Sequence, residues 1–375
     1  EKQWPDFGGT PNVFADPNHL VTRRNEEIER IGGDPFHSVD ALFIFGLEKP
    51  IYVPRHTKTF PASAVLARAA KKTSPNCIID TDKPLWAENV VTMGLGLFDS
   101  VQVVHNHYHR EVTLGDGGLC CGMAGTWLER PSIDFGRDEL FHRTNGIYYR
   151  WLNCGFRLAA SGGSAMGVMK VPLGYCRTYA YLDGALNERS YLDALKAGRT
   201  FATSGPMLFL QADGQMVGAT LKFQSAVNET IKLKSNLESI EKIDALELVY
   251  NGQVIQRRDL TKVSATPSMN ESIEYELKPV RSGWVIARAI YRNIHDNHLR
   301  QAHTSPIYIE VDGKPTANRQ DAEYMIRWID ELLKVSQMAD RYGSDKERVQ
   351  SQRIFYEARE VYERIGKTAL QVWGD

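Results

Sequence analysis

The sequence predicts an α/β domain over residues 1–206, a β-sandwich over 207–311 and a helical segment over 312–375. Three observations predict it. Apolar β-branched runs alternate with amphipathic stretches in the first part, which is the pattern of strands joined by helices. Short strands separated by hairpin-turn dipeptides fill the second. Apolar residues recur at three- and four-residue spacing in the third, as on the buried stripe of a helix.

Taken in order, "DALFIFGL" (40–47) reads as a strand, "SAVLARAAKKT" (63–73) as a short amphipathic helix and "NCIIDTD" (76–82) as a strand again. A helix follows near "NVVTMGLGL" (89–97), then the strand "VQVV" (101–104). Helices of that length between strands predict a mostly parallel sheet. Residues 112–146 are rich in glycine and carry no period, so they are expected to be a long loop over the site. "IYYRWLNCGF" (147–156) returns to helix and "YCRTYAYL" (175–182) to strand. The sandwich strands are expected in "MLFLQADGQMVGA", "ETIKLKSNL", "IDALELVYNGQVIQRR", "SIEYELKP", "GWVIARAIYR" and "SPIYIEVDG", with "ADGQ" and "YNGQ" as hairpin turns. Asn318 or Asp321 is expected to cap the first C-terminal helix and Ser344 or Asp345 the second, the two forming an antiparallel pair on the body.

Composition narrows the function classes. At 375 residues the chain exceeds one ordinary core, and 42% hydrophobic with 24% charged residues is globular usage. A formal net charge of −1 without a long basic run argues against a nucleic-acid partner. No apolar window reaches the roughly 20 residues of a membrane helix. The expected partner is a small-molecule substrate, and a homo-oligomer is compatible with the composition. The chain begins "EKQWPDFGG" without Met, so it reads as a processed chain or a fragment, cytoplasmic or exported with its signal removed. Five cysteines lack CxxC spacing, so buried free thiols are expected rather than a zinc knuckle.

Chemistry concentrates in "SVQVVHNHYHRE" (100–111). His105, His107 and His109 stand at every second position, so in a strand all three rings share one face. Imidazole is a common metal ligand, and the competing reading is a solvated strand end. Asp80 and Asp82 offer carboxylates that either ligate or cap the next segment and pair with Lys83. Glu27 lies in a charged run (Arg23, Arg24, Glu26, Glu29, Arg30) that alone reads as a solvated helix face. His37 beside Pro35 reads as a loop histidine, Arg199 as a clamp between the first two domains, and Trp86 and Trp127 as packing or pocket walls.

Several stretches together resemble one family. "IIDTDKPLWAE" (78–88), "VVHNHYHRE" (103–111), "IYYRWLNCGFRLAASGGSAMG" (147–167), "PLGYCRTYAYLDG" (172–184), "ALKAGRTFATSGPML" (194–208) and "HTSPIYIEVDGKPTANRQDAEYMIRWID" (303–330) resemble, in the same order, the CehA/McbA-type metallohydrolases of the PHP (polymerase and histidinol phosphatase) superfamily. The resemblance implies a PHP-like distorted (β/α)7-type barrel, here lacking its first strand, followed by a β-sandwich-like domain and C-terminal helices. It also implies metal-dependent hydrolysis of small ester, carbamate or phosphoester bonds at the C-terminal ends of the barrel strands. There a divalent zinc, manganese or iron ion would ionise a bound water.

Carried over residue by residue, the resemblance makes Glu27, His37, His107 and Asp80 the metal ligands and His107 with Asp82 the catalytic pair. His105, His109 and Trp86 become substrate contacts. Two steps of the family pattern are missing: the opening His-x-His is absent, and Ala165 and Met166 stand where an aspartate and a histidine are usual. Two functions follow. One is a hydrolase with a reduced site, holding a single metal ion or none. The other is a catalytically degraded barrel that serves as a binding or scaffold protein.

Overall fold

The computed structural model describes residues 12–22, 24–31, 38–52, 59–108, 137–165, 171–225, 229–264, 267–293, 298–338 and 341–374. The fold is mixed α/β, and the site-bearing part is a five-stranded sheet in the order β3-β4-β5-β6-β7. After a small hairpin of β1 (Asn12–Ala15) and β2 (Leu20–Thr22) come β3 (Asn25–Ile31) and β4 (Ser38–Phe45). Then follow α1 (Ser63–Thr73), β5 (Ile78–Asp80), α2 (Asn89–Gly94), β6 (Ser100–His105), α3 (Arg137–Asn153) and β7 (Ala159–Gly163).

The expectation of a mostly parallel sheet is corrected: β3/β4 and β4/β5 pair antiparallel, while β5/β6 and β6/β7 pair parallel. The sheet does not close into a barrel among the described residues, where β3 and β7 are its outer strands. The next strands, β8 (Arg177–Ala180) and β9 (Thr200–Thr203), pair with each other and enter a different sheet. Side chains stitch the seam instead: Gly162 N donates to Thr178 Oγ1 at 2.8 Å and Ala160 N to Ser305 Oγ at 2.8 Å.

Two packed sheets follow, and one of them also takes β8 and β9 from before residue 207. Helix α4 (Glu188–Lys196) joins β8 to β9. Beyond it lie β10 (Met207–Ala212), β11 (Gln215–Met216), β12 (Thr220–Phe223), β13 (Ile231–Ser239), β14 (Ala245–Tyr250) and β15 (Gln253–Asp259). They are followed by β16 (Met269–Leu277), β17 (Gly283–Asn293), β18 (His298–Thr304) and β19 (Ile307–Val311). A four-stranded sheet, β11-β10-β13-β16, faces an eight-stranded one that carries β8, β9, β12, β14, β15, β17, β18 and β19. The period of two makes the core: on β13, Ile231, Leu233 and Leu237 are buried while Lys232, Lys234 and Glu238 are exposed. Opposite them lie Leu246, Leu248, Val285, Ala287, Ile307 and Ile309.

Helices α5 (Arg319–Val335) and α6 (Asp345–Trp373) form the expected antiparallel pair, shown by Arg359–Asp330 at 2.7 Å, Gln352–Ser336 at 2.7 Å and Arg348–Gln337 at 2.8 Å. Asn318 caps α5 by accepting from Asp321 N, and Ser344 caps α6 by accepting from Glu347 N. The pair docks on the five-stranded sheet's helices. Trp328 Nε1 donates to Ala87 O and Tyr362 Oη to Val90 O, each at 3.0 Å.

Of the long loop expected over 112–146, residues 112–136 lie outside the described residues, and the rest is helix. Helix α3 is described from Arg137, and Phe141, Thr144, Asn145, Tyr148 and Trp151 make its buried stripe.

Candidate functional site

The histidine comb does not fold as a comb. His105 ends β6, and Asn106–Tyr108 turns as a 3₁₀ helix, so His105 and His107 do not share a strand face. The His105 ring is buried and stacked on Tyr108 at 4.5 Å, with Nε2 3.5 Å from Thr144 Oγ1. The side chain of His107 and all of His37, His109, Trp127 and Met166 lie outside the described residues.

What the sheet does assemble is a row of carboxyls and hydroxyls. Glu27 pairs with Phe43 across β3/β4, Phe43 with Asp80 across β4/β5, and Asp80 with Ser100 across β5/β6. Residues directly opposite share a face, so Glu27, Phe43, Asp80 and Ser100 stand side by side. The charged run around Glu27 is therefore strand, not helix: Glu26 and Ile28 are buried, whereas Glu27 and Glu29 point to the other side. The opposite face, with Leu42, Ile44, Ile79, Val101 and Val103, is buried under α1, α2 and α3. Helix α4 covers the near face through Tyr191, Leu192 and Leu195, packed with Ile78 and Ala159. Asn187 and Ser190 fix where α4 begins through a reciprocal capping box.

Between this face and α4 lies a cavity of about 360 Å³. Its polar wall is Glu27, Asp80, Gln102, Ser161 and Thr178, and its apolar wall is Phe43, Phe45, Tyr191 and Leu195. Ala165 closes one side with φ +45°, a left-handed conformation that alanine seldom adopts.

Asp80 is fully buried and accepts three hydrogen bonds, two at Oδ2 from Ser100 and Ser161 and one at Oδ1 from Asp82 N at 3.0 Å. Those bonds favour the ionised form, yet burial outweighs them and pushes the carboxyl up to about 6. The Glu27 carboxyl is also raised, by partial burial first and then by the charge of Asp82, with Lys83 opposing. Both carboxyls of the cavity therefore hold protons more tightly than in water.

Asp82 is not among the residues that line the cavity. Lys83 Nζ donates to both of its carboxylate oxygens at 2.6 and 2.8 Å, and Trp86 Nε1 adds a bond at 3.0 Å. Trp86 is buried against Ala41, so its indole supports Asp82 and does not line the cavity. Arg199 pairs with Asp183 in the loop before α4, a local tie instead of an interdomain clamp.

The donors here are poorly suited to the metal that the resemblance implies. Asp80 has both oxygens engaged, Asp82 is held by an ammonium, and Ala165 has no donor atom. Among the described residues no group of three or more His, Cys, Asp or Glu side chains is placed to hold a metal ion. The described side chains do not fit a divalent ion. No described helix is long and apolar enough to cross a membrane.

Sequence reading missed Ser100, Ser161, Gln102, Thr178 and Tyr191. The first three sit on alternate positions of β6 and β7, where a polar residue in a buried strand was the available signal. Tyr191 belongs to a helix announced only by the capping pattern "NERS". No family model matches the chain, and no curated protein or solved structure matches it.

Proposed function

We propose that the chain is a hydrolase of small ester, carbamate or phosphoester bonds, on a plan related to the PHP barrel, with Glu27 and Asp80 as its acid–base pair. The observation that carries this reading is two carboxyls of raised proton affinity facing one cavity. Such pairs are concentrated at catalytic sites, because proton transfer is most efficient when the group titrates near the working pH.

The roles follow from access. Glu27 is the exposed member and takes the proton of an attacking water as general base. Asp80, buried, holds the hydroxyls of Ser100 and Ser161, and with its carboxyl pushed up to about 6 it can carry a proton to the leaving group at mildly acidic pH. Phe43, Phe45, Tyr191 and Leu195 receive the apolar part of the substrate and exclude water. The described residues do not fit a metal, so no step is assigned to one.

A second reading, a degraded barrel that binds a small molecule without turning it over, is favoured by the Asp82–Lys83 pair and by Ala165 at a ligand position. Chromogenic esters, carbamates and phosphodiesters decide between the two. The hydrolase reading expects turnover that falls roughly 100-fold in Glu27→Gln, the usual worth of a general base. Binding of the same compounds by calorimetry, with no turnover, would establish the second reading instead.

A further inference from the structure

Glu27 and Asp80 line one cavity and the Asp82 N–H donates to Asp80 Oδ1 at 3.0 Å, so three carboxyl-bearing residues gather at one edge of the site. Clustered carboxylates repel one another unless a cation sits among them. Here the cation is part of the chain. Lys83 Nζ reaches both oxygens of Asp82, as a chelated metal ion would, and it rests 5.9 Å from the centre of the Trp86 ring. Both charged groups are withdrawn from solvent, Asp82 with 2% and Lys83 with 11% of side-chain area exposed.

Neighbouring residues of an extended chain point to opposite faces, so adjacent side chains do not normally chelate one another. Asp82 and Lys83 instead lie in a bend, where the Asp82 backbone is left-handed with φ +55°. That conformation is costly for a residue other than glycine, although aspartate tolerates it better than most. The left-handed backbone and the bidentate ammonium coincide at this one residue.

We infer that Lys83 is the resident cation of this cluster, its ammonium standing where a divalent ion would otherwise sit, so that Asp82 binds no metal while Lys83 is present. Nothing in this inference depends on whether the cavity turns over a substrate. It also predicts what replaces the ammonium. Removing it leaves the buried Asp82 with the Trp86 indole but no compensating positive charge, which is strongly unfavourable, so the vacated position becomes a cation site.

The test titrates MnCl2 and ZnCl2 into the chelator-treated full chain by calorimetry and follows melting temperature, for wild type, Lys83→Ala, Asp82→Asn and the double variant. Wild type and D82N are expected to give the same isotherm, and EDTA to leave wild-type melting unchanged. K83A is expected to melt lower, to bind one ion at least ~10-fold more tightly than wild type, and to recover melting temperature as the ion is added, as linkage requires. The double variant is expected to lose that gain. Should K83A fail to fold, Lys83→Met, which keeps the stem and removes the charge, replaces it in the same titration. Wild-type binding that D82N abolishes, or a folded K83A or K83M that binds no better than wild type, overturns the inference.

Discussion

Asp80 illustrates how one side chain carries two opposed demands. Three hydrogen bonds pull its proton off, while burial under α4 keeps the proton on, and burial prevails. A carboxyl whose affinity is raised in the native state binds more protons there than in the unfolded chain. Stability therefore falls as pH rises through the interval from about 4 to about 6, and the loss is complete above it. Carboxyls that are lowered, such as Asp259 and Asp312, slope the opposite way, so the comparison must be between variants. Relative to Asp80→Asn, wild type is expected to lose on the order of 3 kcal/mol between pH 4 and pH 7 in urea unfolding. A parallel pair of stability curves would show that Asp80 is ionised throughout.

At the scale of elements, the hairpin between β14 and β15 shows what a turn signal specifies. Asn251 and Gly252 both have positive φ, +49° and +86°, the geometry of a two-residue turn matched to strand twist. Asn251 adds a second function, since its Oδ1 accepts from Trp284 N at 2.9 Å and so ties the turn to β17. Asn251→Gly removes only the bond, about 1 kcal/mol, whereas Asn251→Ala adds left-handed strain and costs about 2 kcal/mol. Equal melting temperatures for the two variants would refute that division.

Elements with a period were legible in the sequence. The bounds of α1, the caps of α5 and α6 and the alternating strands of the sandwich follow from local pattern. Strand β18 was not legible, because two of its inward residues are polar, Gln301 and His303, and a buried polar residue erases the alternation. His303 is satisfied there by the Tyr149 hydroxyl at 2.9 Å and by Thr304 O at 2.8 Å. The histidine comb misled for a related reason. A period of two describes a strand only as long as the strand lasts, and β6 stops at His105.

Across the whole molecule, sheet partners and closure were the least legible features. Nothing local in "CRTYAYL" indicates that β8 joins the sandwich sheet, since that choice depends on what Thr178 and Ser305 offer to β7. The candidate site shares this origin: Glu27, Asp80, Ser161 and Tyr191 lie far apart in sequence and meet only through register and helix packing. The same long-range packing fixes α6, where a Cβ at Gly94 would meet the Tyr362 ring at 2.7 Å and Ala358 Cβ at 3.1 Å. Gly94→Val is expected to cost about 1–3 kcal/mol by overpacking this contact, read as a lowered urea midpoint. An unchanged midpoint would mean that α6 docks without using the gap above α2.

The central claim is that Glu27 and Asp80 work as an acid–base pair in one cavity, and the pH dependence of kcat/KM reaches it most directly. On whichever chromogenic substrate the wild type turns over, the account predicts a limb with an apparent pKa near 6 that reports the coupled pair. That limb should be lost or displaced in Asp80→Asn and in Glu27→Gln. A limb that persists unchanged in both variants, or the absence of turnover across the panel, would contradict it.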